Sequence, residues 1–375
     1  MSPSLTTDLH MNANGALTPE KTRSDIKYTI RGWHLRPAAQ NDAALRNAFC
    51  SVLEASALLP PDQRLIMYDA EDGGAISEPL GGPFLRKRLD ARRNTKPKKA
   101  DGQRFVCTPF DPSGFHFGKI KNPGERLLHL ELLGGSYDVL TNKFPLFPRH
   151  MLLVCNELVP QQMTAAHLQS VGQLIRPSSF CAYFNSWCAS ASVNHFHCHI
   201  IDEHPPVTLL PLEPCARLIS GVRPLRPNGF PGHCYVFEWC HVDLVAAAVW
   251  AMQQDNQPHN LLFTPHHIYV WPKPHQRPER SFELYPETVG GPELLGSFTV
   301  YQQEDFMRLQ PEHAAELFEI NTAPLPARLR NFGRALDDIE GTISTVPQIR
   351  ERRVLTAIRP SQSLDSAPNG CLVRQ

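Results

Sequence analysis

The chain has no excess of either charge: 37 Lys and Arg stand against 37 Asp and Glu in 375 residues. That balance excludes bulk electrostatic binding to nucleic acid or to an anionic membrane. It also lacks a Cys-x-x-Cys pair. Its ten cysteines are scattered, several in apolar runs such as those around Cys155 and Cys181, which suits buried, reduced thiols better than a disulfide framework or a zinc ribbon. Long hydrophobic runs are missing as well. The most apolar stretch, residues 244–252, is far too short to span a bilayer, and polar residues 1–23 have no signal-peptide core. Cys371, fifth from the end, does not form a prenylation box. The expectation is a cytoplasmic protein with neither a membrane nor a nucleic-acid partner.

Along the chain, residues 1–25 read as a disordered N-terminus and residues 26–103 as a helical and irregular segment. Within the latter, residues 42–59 carry apolar side chains at helical spacing (Leu45, Phe49, Val52, Leu53) and stop at Pro60-Pro61. Residues 86–99 hold eight basic side chains against the single acid Asp90, and read as a solvated loop. From 104 to 215 the texture is strand-rich, with strands expected at 127–133, 137–142, 150–155 and 180–184 and a helix at 161–175 that ends before Pro177. From 216 to 330 a similar rhythm recurs, with strands at 234–240, 260–264, 267–271 and 297–301. A helix at 243–254 takes Asp243 as its N-cap. Strands with segregated helices predict an α+β fold of two related halves, each an antiparallel sheet flanked by helices. Residues 345–375 read as a flexible tail.

The most informative segment is Val193-Asn194-His195-Phe196-His197-Cys198-His199-Ile200-Ile201. On an extended strand the three histidines project to one face, and Phe196, Cys198 and Ile200 to the other. A surface strand, a zinc site and nucleophilic catalysis by imidazole all fit that spacing. The surroundings add small and hydroxylated residues just ahead (Ala189, Ser190, Ala191, Ser192), which allow a phosphate close approach and offer it donors. No acidic cluster accompanies the histidines to complete a metal shell. The second half carries no such triad, so any catalytic site belongs to the first.

Residues 195–201 meet in full the pattern of the histidine triad superfamily, which the sequence resembles. The resemblance is nearest to the GDP-hexose phosphorylase branch, GDP-L-galactose and GDP-D-glucose phosphorylases. It rests on Phe110-Asp111-Pro112, Phe115-His116-Phe117-Gly118-Lys119-Ile120, His150-Met151-Leu152-Leu153-Val154, Phe184-Asn185-Ser186 and the run from Ala191 to His199. In the second half, residues 259–264 and Gly290-Gly291-Pro292-Glu293 also fit. Asn142-Lys143-Phe144-Pro145 is more similar to the diadenosine tetraphosphate phosphorylases.

The resemblance implies a nucleotidyltransferase that breaks the diphosphate of a nucleotide sugar through a covalent nucleotidyl-histidine, with inorganic phosphate as acceptor. It makes His197 the nucleophile, suited by a neutral imidazole with an unperturbed pKa of ~6.5. His199 and Ser192 would contact phosphate oxygens, and His195 and His150 would orient the nucleophile. Asn142 would face the ribose, Lys119 and Asn185 the phosphates, and Asn194 would complete the substrate-binding set. No cofactor or metal is required. The partners are a nucleotide-sugar or dinucleotide substrate and phosphate, and a homodimer is compatible with the sequence. The alternatives are a dinucleoside polyphosphate phosphorylase, a hydrolase with water as acceptor, and a zinc-binding protein.

Overall fold

The computed structural model describes residues 38–82, 84–95, 104–327 and 329. The readings for residues 1–25 and 345–375 lie outside them. Helix α1 (Ala38–Ala57) buries Leu45 and Phe49 and stops ahead of Pro60-Pro61, since proline removes a donor and clashes with the preceding turn. Strands β1 (Ile76–Pro79) and β2 (Arg86–Leu89) follow.

The first half then builds β3 (Arg126–Leu132), β4 (Gly135–Thr141), β5 (Met151–Cys155), helix α2 (Ala165–Ile175), β6 (Cys181–Asn185) and β7 (His197–Ile201). The hairpin between β3 and β4 turns on two glycines. Gly135 has φ +128°, and a Cβ on Gly134 would stand 2.5 Å from the Ala166 carbonyl, so only glycine fits this approach. The second half builds β8 (Leu212–Pro214), β9 (Leu225–Pro227), β10 (Tyr235–Glu238), helix α3 (Val242–Gln254), β11 (His259–Phe263) and β12 (His267–Pro272), and β13 (Ser297–Val300) comes later.

Ten of these strands form one sheet in the order β3-β4-β5-β7-β6-β11-β12-β10-β9-β8, antiparallel throughout. Taken inward from its two edges, β3-β4-β5-β7-β6 and β8-β9-β10-β12-β11 have the same strand order. Each half inserts its long helix between its third and fourth strands. The fold is therefore α+β with two related halves, joined where β6 pairs with β11 from Asn185↔Asn260 to Ala182↔Phe263.

The helices cover one face, where Phe196 stacks on His167 of α2 at 3.6 Å between ring centroids. On the other face the second half is sealed by later elements: Tyr269 and Trp271 of β12 share a core with Phe298 of β13 and with Leu317 and Phe318 of the helix Pro311–Asn321. Among the described residues no helix is long and apolar enough to cross a membrane.

Three expectations are corrected. The basic run is not a solvated loop over its described part. Strand β2 pairs with β1 and, in parallel, with β13 (Arg86↔Ser297). Its cations are satisfied by distant acceptors: Arg88 donates to the Leu146 and Ala70 carbonyls, Arg93 to the Phe144 carbonyl, and Arg92 to the fully buried Asp90. Long basic side chains bury their stems while their heads find partners. Residues 96–103 of that stretch lie outside the described set. Helix α2 begins at Ala165 rather than at residue 161, because Thr164 is the N-cap, its hydroxyl accepting from the His167 N–H. Asp243 is not an N-cap. His241 holds that position, and Asp243 lies in the first turn, where its charge meets the positive helix end.

Candidate active site

The alternation on β7 holds from His197 onward. His197 and His199 share one face, with His197 buried and His199 partly exposed, while Phe196, Cys198 and Ile200 are fully buried on the other. His195 lies just before the strand. Its ring packs against Phe110 and Phe117, each 5.7 Å away between centroids. Its Nε2–H donates to the Glu157 carbonyl (2.9 Å) and its Nδ1 accepts from the Phe117 N–H (3.3 Å). Burial lowers its pKa, so this imidazole is neutral and committed to the main chain through both nitrogens.

The His195 carbonyl in turn orders its neighbour. His197 Nδ1 lies 2.8 Å from that oxygen. A carbonyl only accepts, so Nδ1 carries the hydrogen and the ring lone pair is on Nε2. The peptide on either side of His197 is held by Gln161, a fully buried side chain. Its Oε1 accepts from the His197 N–H (2.8 Å), and its Nε2 donates to the carbonyls of His197 and Asn185 (2.9 Å each). Phe117 closes over the His197 ring with centroids 5.0 Å apart.

A second chain of hydrogen bonds sets His199. His150 Nδ1 accepts from the Leu146 N–H (3.1 Å), and its Nε2 lies 2.9 Å from His199 Nδ1. The main-chain donor fixes the His150 lone pair on Nδ1. Nε2–H then donates to His199, whose own hydrogen is left on Nε2. Asn142 Nδ2 approaches the same His150 nitrogen at 3.2 Å, but its Oδ1 is fixed by the Phe144 N–H. That amide edge cannot donate to a nitrogen already bearing hydrogen, so the Leu146 assignment prevails. Tyr183 stacks flat on His199, and its hydroxyl lies 3.3 Å from His150.

The loop between β6 and His195 is strained, with Cys188 and Ser190 at φ +71° and +79°, a conformation that costs non-glycine residues energy. It is braced from the second half. A Cβ on Gly290 would stand 2.5 Å from Ser190, and one on Gly291 would stand 2.5 Å from Tyr183. Glu293 accepts from the Gly290 N–H (2.8 Å) and holds that turn.

The remaining sequence-derived site residues divide between frame and surface. Asn185 Oδ1 accepts from Asn260 (2.7 Å) and the Gly291 N–H (3.0 Å), stitching the two halves together. Asn194 accepts from the Gln161 N–H and donates to the carbonyls of Thr108 and Pro109. Lys119 donates to the Ser113 and Gly114 carbonyls (2.8 and 2.6 Å). Ser192 is exposed on the loop. A cleft of about 570 Å³ opens from His195 and Phe117 across β5, β4 and β3. The three triad rings do not converge on a common point for zinc, since His195 uses both nitrogens elsewhere. Among the described residues no group of three or more His, Cys, Asp or Glu is placed to hold a metal ion.

Sequence reasoning missed Gln161, Tyr183 and the bracing role of Gly291. Gln161 looked like a helix start and Tyr183 like one more apolar strand position. Neither carries a local signal of its partner.

Residues 83–201 match the family model described as GDPGP1-like, N-terminal domain. Over 195 residues the chain is 30% identical to GDP-D-glucose phosphorylase 1 of Danio rerio, covering 47% of this chain and 54% of that protein. Over 142 residues it is 33% identical to GDP-D-glucose phosphorylase 1 of Macaca fascicularis, covering 34% and 37% respectively. The match thus spans about half the length of the first of these relatives and less of the second. Yeast Ap4A phosphorylase Apa2 in complex with Ap4A has a similar fold, with a TM-score of 0.53 and 17% identity over 76% of this chain and 98% of that one. The AMP complex of the same enzyme gives 0.51 and 18% over the same shares.

Proposed function

We propose, for a chain whose residues 83–201 match the family model described as GDPGP1-like, N-terminal domain, that it is a nucleotide phosphorylase. Its reaction converts a GDP-hexose and inorganic phosphate to GDP and hexose 1-phosphate. The observation that carries this reading is the tautomer of His197: Nδ1–H is held on the His195 carbonyl, which leaves Nε2 as the nucleophilic nitrogen. The similarity to two GDP-D-glucose phosphorylases supports nucleotide chemistry of this kind, and the fold shared with Apa2 is compatible with it.

In the first step His197 Nε2 attacks the α-phosphorus. A P–N bond forms, the P–O bond to the hexose 1-phosphate breaks, and the electron pair leaves on that oxygen. His199, its hydrogen held on Nε2 by the His150 relay, donates to the departing or non-bridging oxygens. In the second step a phosphate oxygen attacks the same phosphorus, the P–N bond breaks, and GDP leaves. The leaving group is a weak base, so the work lies in positioning and charge neutralisation. Ser192, exposed on the loop, and Asn142, at the end of β4, reach the phosphates and the ribose. Asn185, Asn194 and Lys119 act by holding the frame. The nine described cysteines are free thiols, which suits a reducing cytoplasmic setting.

The test is product analysis by mass spectrometry with GDP-glucose, GDP-galactose, GDP-mannose and diadenosine tetraphosphate, each with and without phosphate. Phosphate-dependent GDP from a sugar nucleotide is expected. ADP and ATP from the tetraphosphate would transfer the reading to dinucleoside polyphosphates, a substrate to which the Asn142–Pro145 segment also points. GMP formed without phosphate would make the protein a hydrolase.

A further inference from the structure

The cleft beside Phe117 changes character along its length. Strand register places His197, Val154, Asp138 and His129 in one row across four strands, and His199, Leu152, Leu140 and Arg126 in the next. Directly opposed residues share a face of the sheet. At about 4.8 Å per strand, Asp138 lies about 10 Å from His197, the reach of a nucleoside from its 5′-phosphorus to the far edge of its base. Between these ends the floor is apolar. Val154, Leu140 and Phe117 line it and form one cluster with Leu152 beside them, and Ile120 and Val193 pack against that cluster. A flat heteroaromatic ring fits such a slot.

The far end is polar and preset. Asp138 Oδ1 accepts from His129 Nδ1 (2.8 Å) and from Asn156 Nδ2 (3.2 Å), and Arg126 Nε lies 3.3 Å from Oδ2. Asn156 is itself held by the Ser136 hydroxyl (2.9 Å). Glu131 lies 3.1 Å from the other His129 nitrogen. All four of Asp138, His129, Asn156 and Arg126 line the cleft. Asp138 keeps only 14% of its side-chain surface, whereas Arg126 keeps 44% and can swing.

We propose that Asp138, oriented by His129 and Asn156, reads the nucleobase and selects guanine over adenine. This rests on the nucleotide reading of the same site. Guanine presents N1–H and the 2-amino group as adjacent donors, and a carboxylate accepts from both. Its O6 accepts from Arg126. Adenine presents an acceptor at N1 and a donor at N6, so it meets the carboxylate and the guanidinium with the wrong polarity. Setting the adenine N1 lone pair against a carboxylate whose orientation is fixed by His129 and Asn156 is how such a site would reject it.

Titration calorimetry of the full chain with GDP, inosine diphosphate and ADP tests this without turnover. Inosine diphosphate lacks only the 2-amino group. The wild type should bind GDP about tenfold or more tighter than either of the others. D138N should bring GDP close to inosine diphosphate while leaving ADP affinity near wild type, which also reports that the variant is folded. R126Q should weaken GDP more than ADP. Equal binding of all three nucleotides by the wild type, or a guanine preference that survives D138N, would overturn the assignment. Guanine-selective binding that depends on Asp138, without phosphorolysis of any GDP-hexose, would remove the proposed reaction and leave the base-reading role standing. Phosphorolysis with guanine preference intact in D138N would do the reverse.

Discussion

The Tyr183 ring lies flat on the His199 imidazole, with centroids 4.4 Å apart and planes 3° from parallel. Because β6 and β7 are paired at these two residues, the stack is set by strand register. Gly291 of the second half leaves the space beside the same ring, since a Cβ there would stand 2.5 Å from Tyr183. The half that lacks a histidine triad therefore helps to set the orientation of a histidine in the half that has one.

Gly291→Ala tests that link. The added methyl would stand 2.5 Å from Tyr183 and 2.7 Å from Asn185 Oδ1, so the ring must move or the turn must open. Overpacking of this kind costs about 1–3 kcal/mol. Thermal melting should show the loss, and turnover should fall more than nucleotide affinity. A variant with wild-type melting and full turnover would disprove the coupling.

His150→Phe removes the relay from the Leu146 N–H to His199. With its tautomer no longer fixed, His199 should lose much of its value as a proton donor. A drop in kcat of about a hundredfold is expected, with KM within about twofold. Equal changes in kcat and KM would point to a role in binding instead.

Gln161→Leu keeps the volume and removes three hydrogen bonds, leaving one N–H and two carbonyls buried without that partner. The expected loss is about 2–4 kcal/mol in chemical denaturation. A loss below ~0.5 kcal/mol would mean that the main chain around His197 is held by other groups.

Acid should destabilise the fold above the range where most carboxylates titrate. Burial pushes His167 and His259 down to about 4 from the ordinary histidine value. Between about pH 4 and the unfolded value of ~6.5 the unfolded chain binds more protons than the folded one. The stabilisation from keeping these rings neutral is thus complete above ~6.5 and lost as pH falls toward 4. Urea midpoints measured from pH 7.5 to 4.5 should decline, and His259→Asn, if it folds, should flatten the slope. A midpoint constant over that interval would contradict the shifts.

Features with short-range patterns were legible in the sequence. The alternation from His197 to Ile201 and the amphipathic stretch of α2 each declare themselves within a dozen residues. What was not legible depends on distant partners. The basic run gave no hint that Arg86 would meet Ser297, 211 residues away, or that β2 would become the middle strand of a three-stranded sheet. His195 appeared to belong to the strand, but its hydrogen bonds to Glu157 and Phe117 place it in the bend before β7. Likewise the resemblance made Asn185 and Asn194 candidates for substrate, and the sequence did not show that their amides also tie together distant segments of the fold.

The most direct test of the account is to trap the intermediate on His197. Incubating the protein with GDP-glucose labelled at the α-phosphorus, in the absence of phosphate, should transfer one guanylyl group to the protein. Intact-mass measurement should show that increment, acid should remove it, and peptide mapping should place it on His197. Added phosphate should discharge it as GDP, and His197→Gln should form none. Phosphorolysis that proceeds without any adduct, or an adduct that persists in His197→Gln, would contradict the assignment of His197 as the nucleophile.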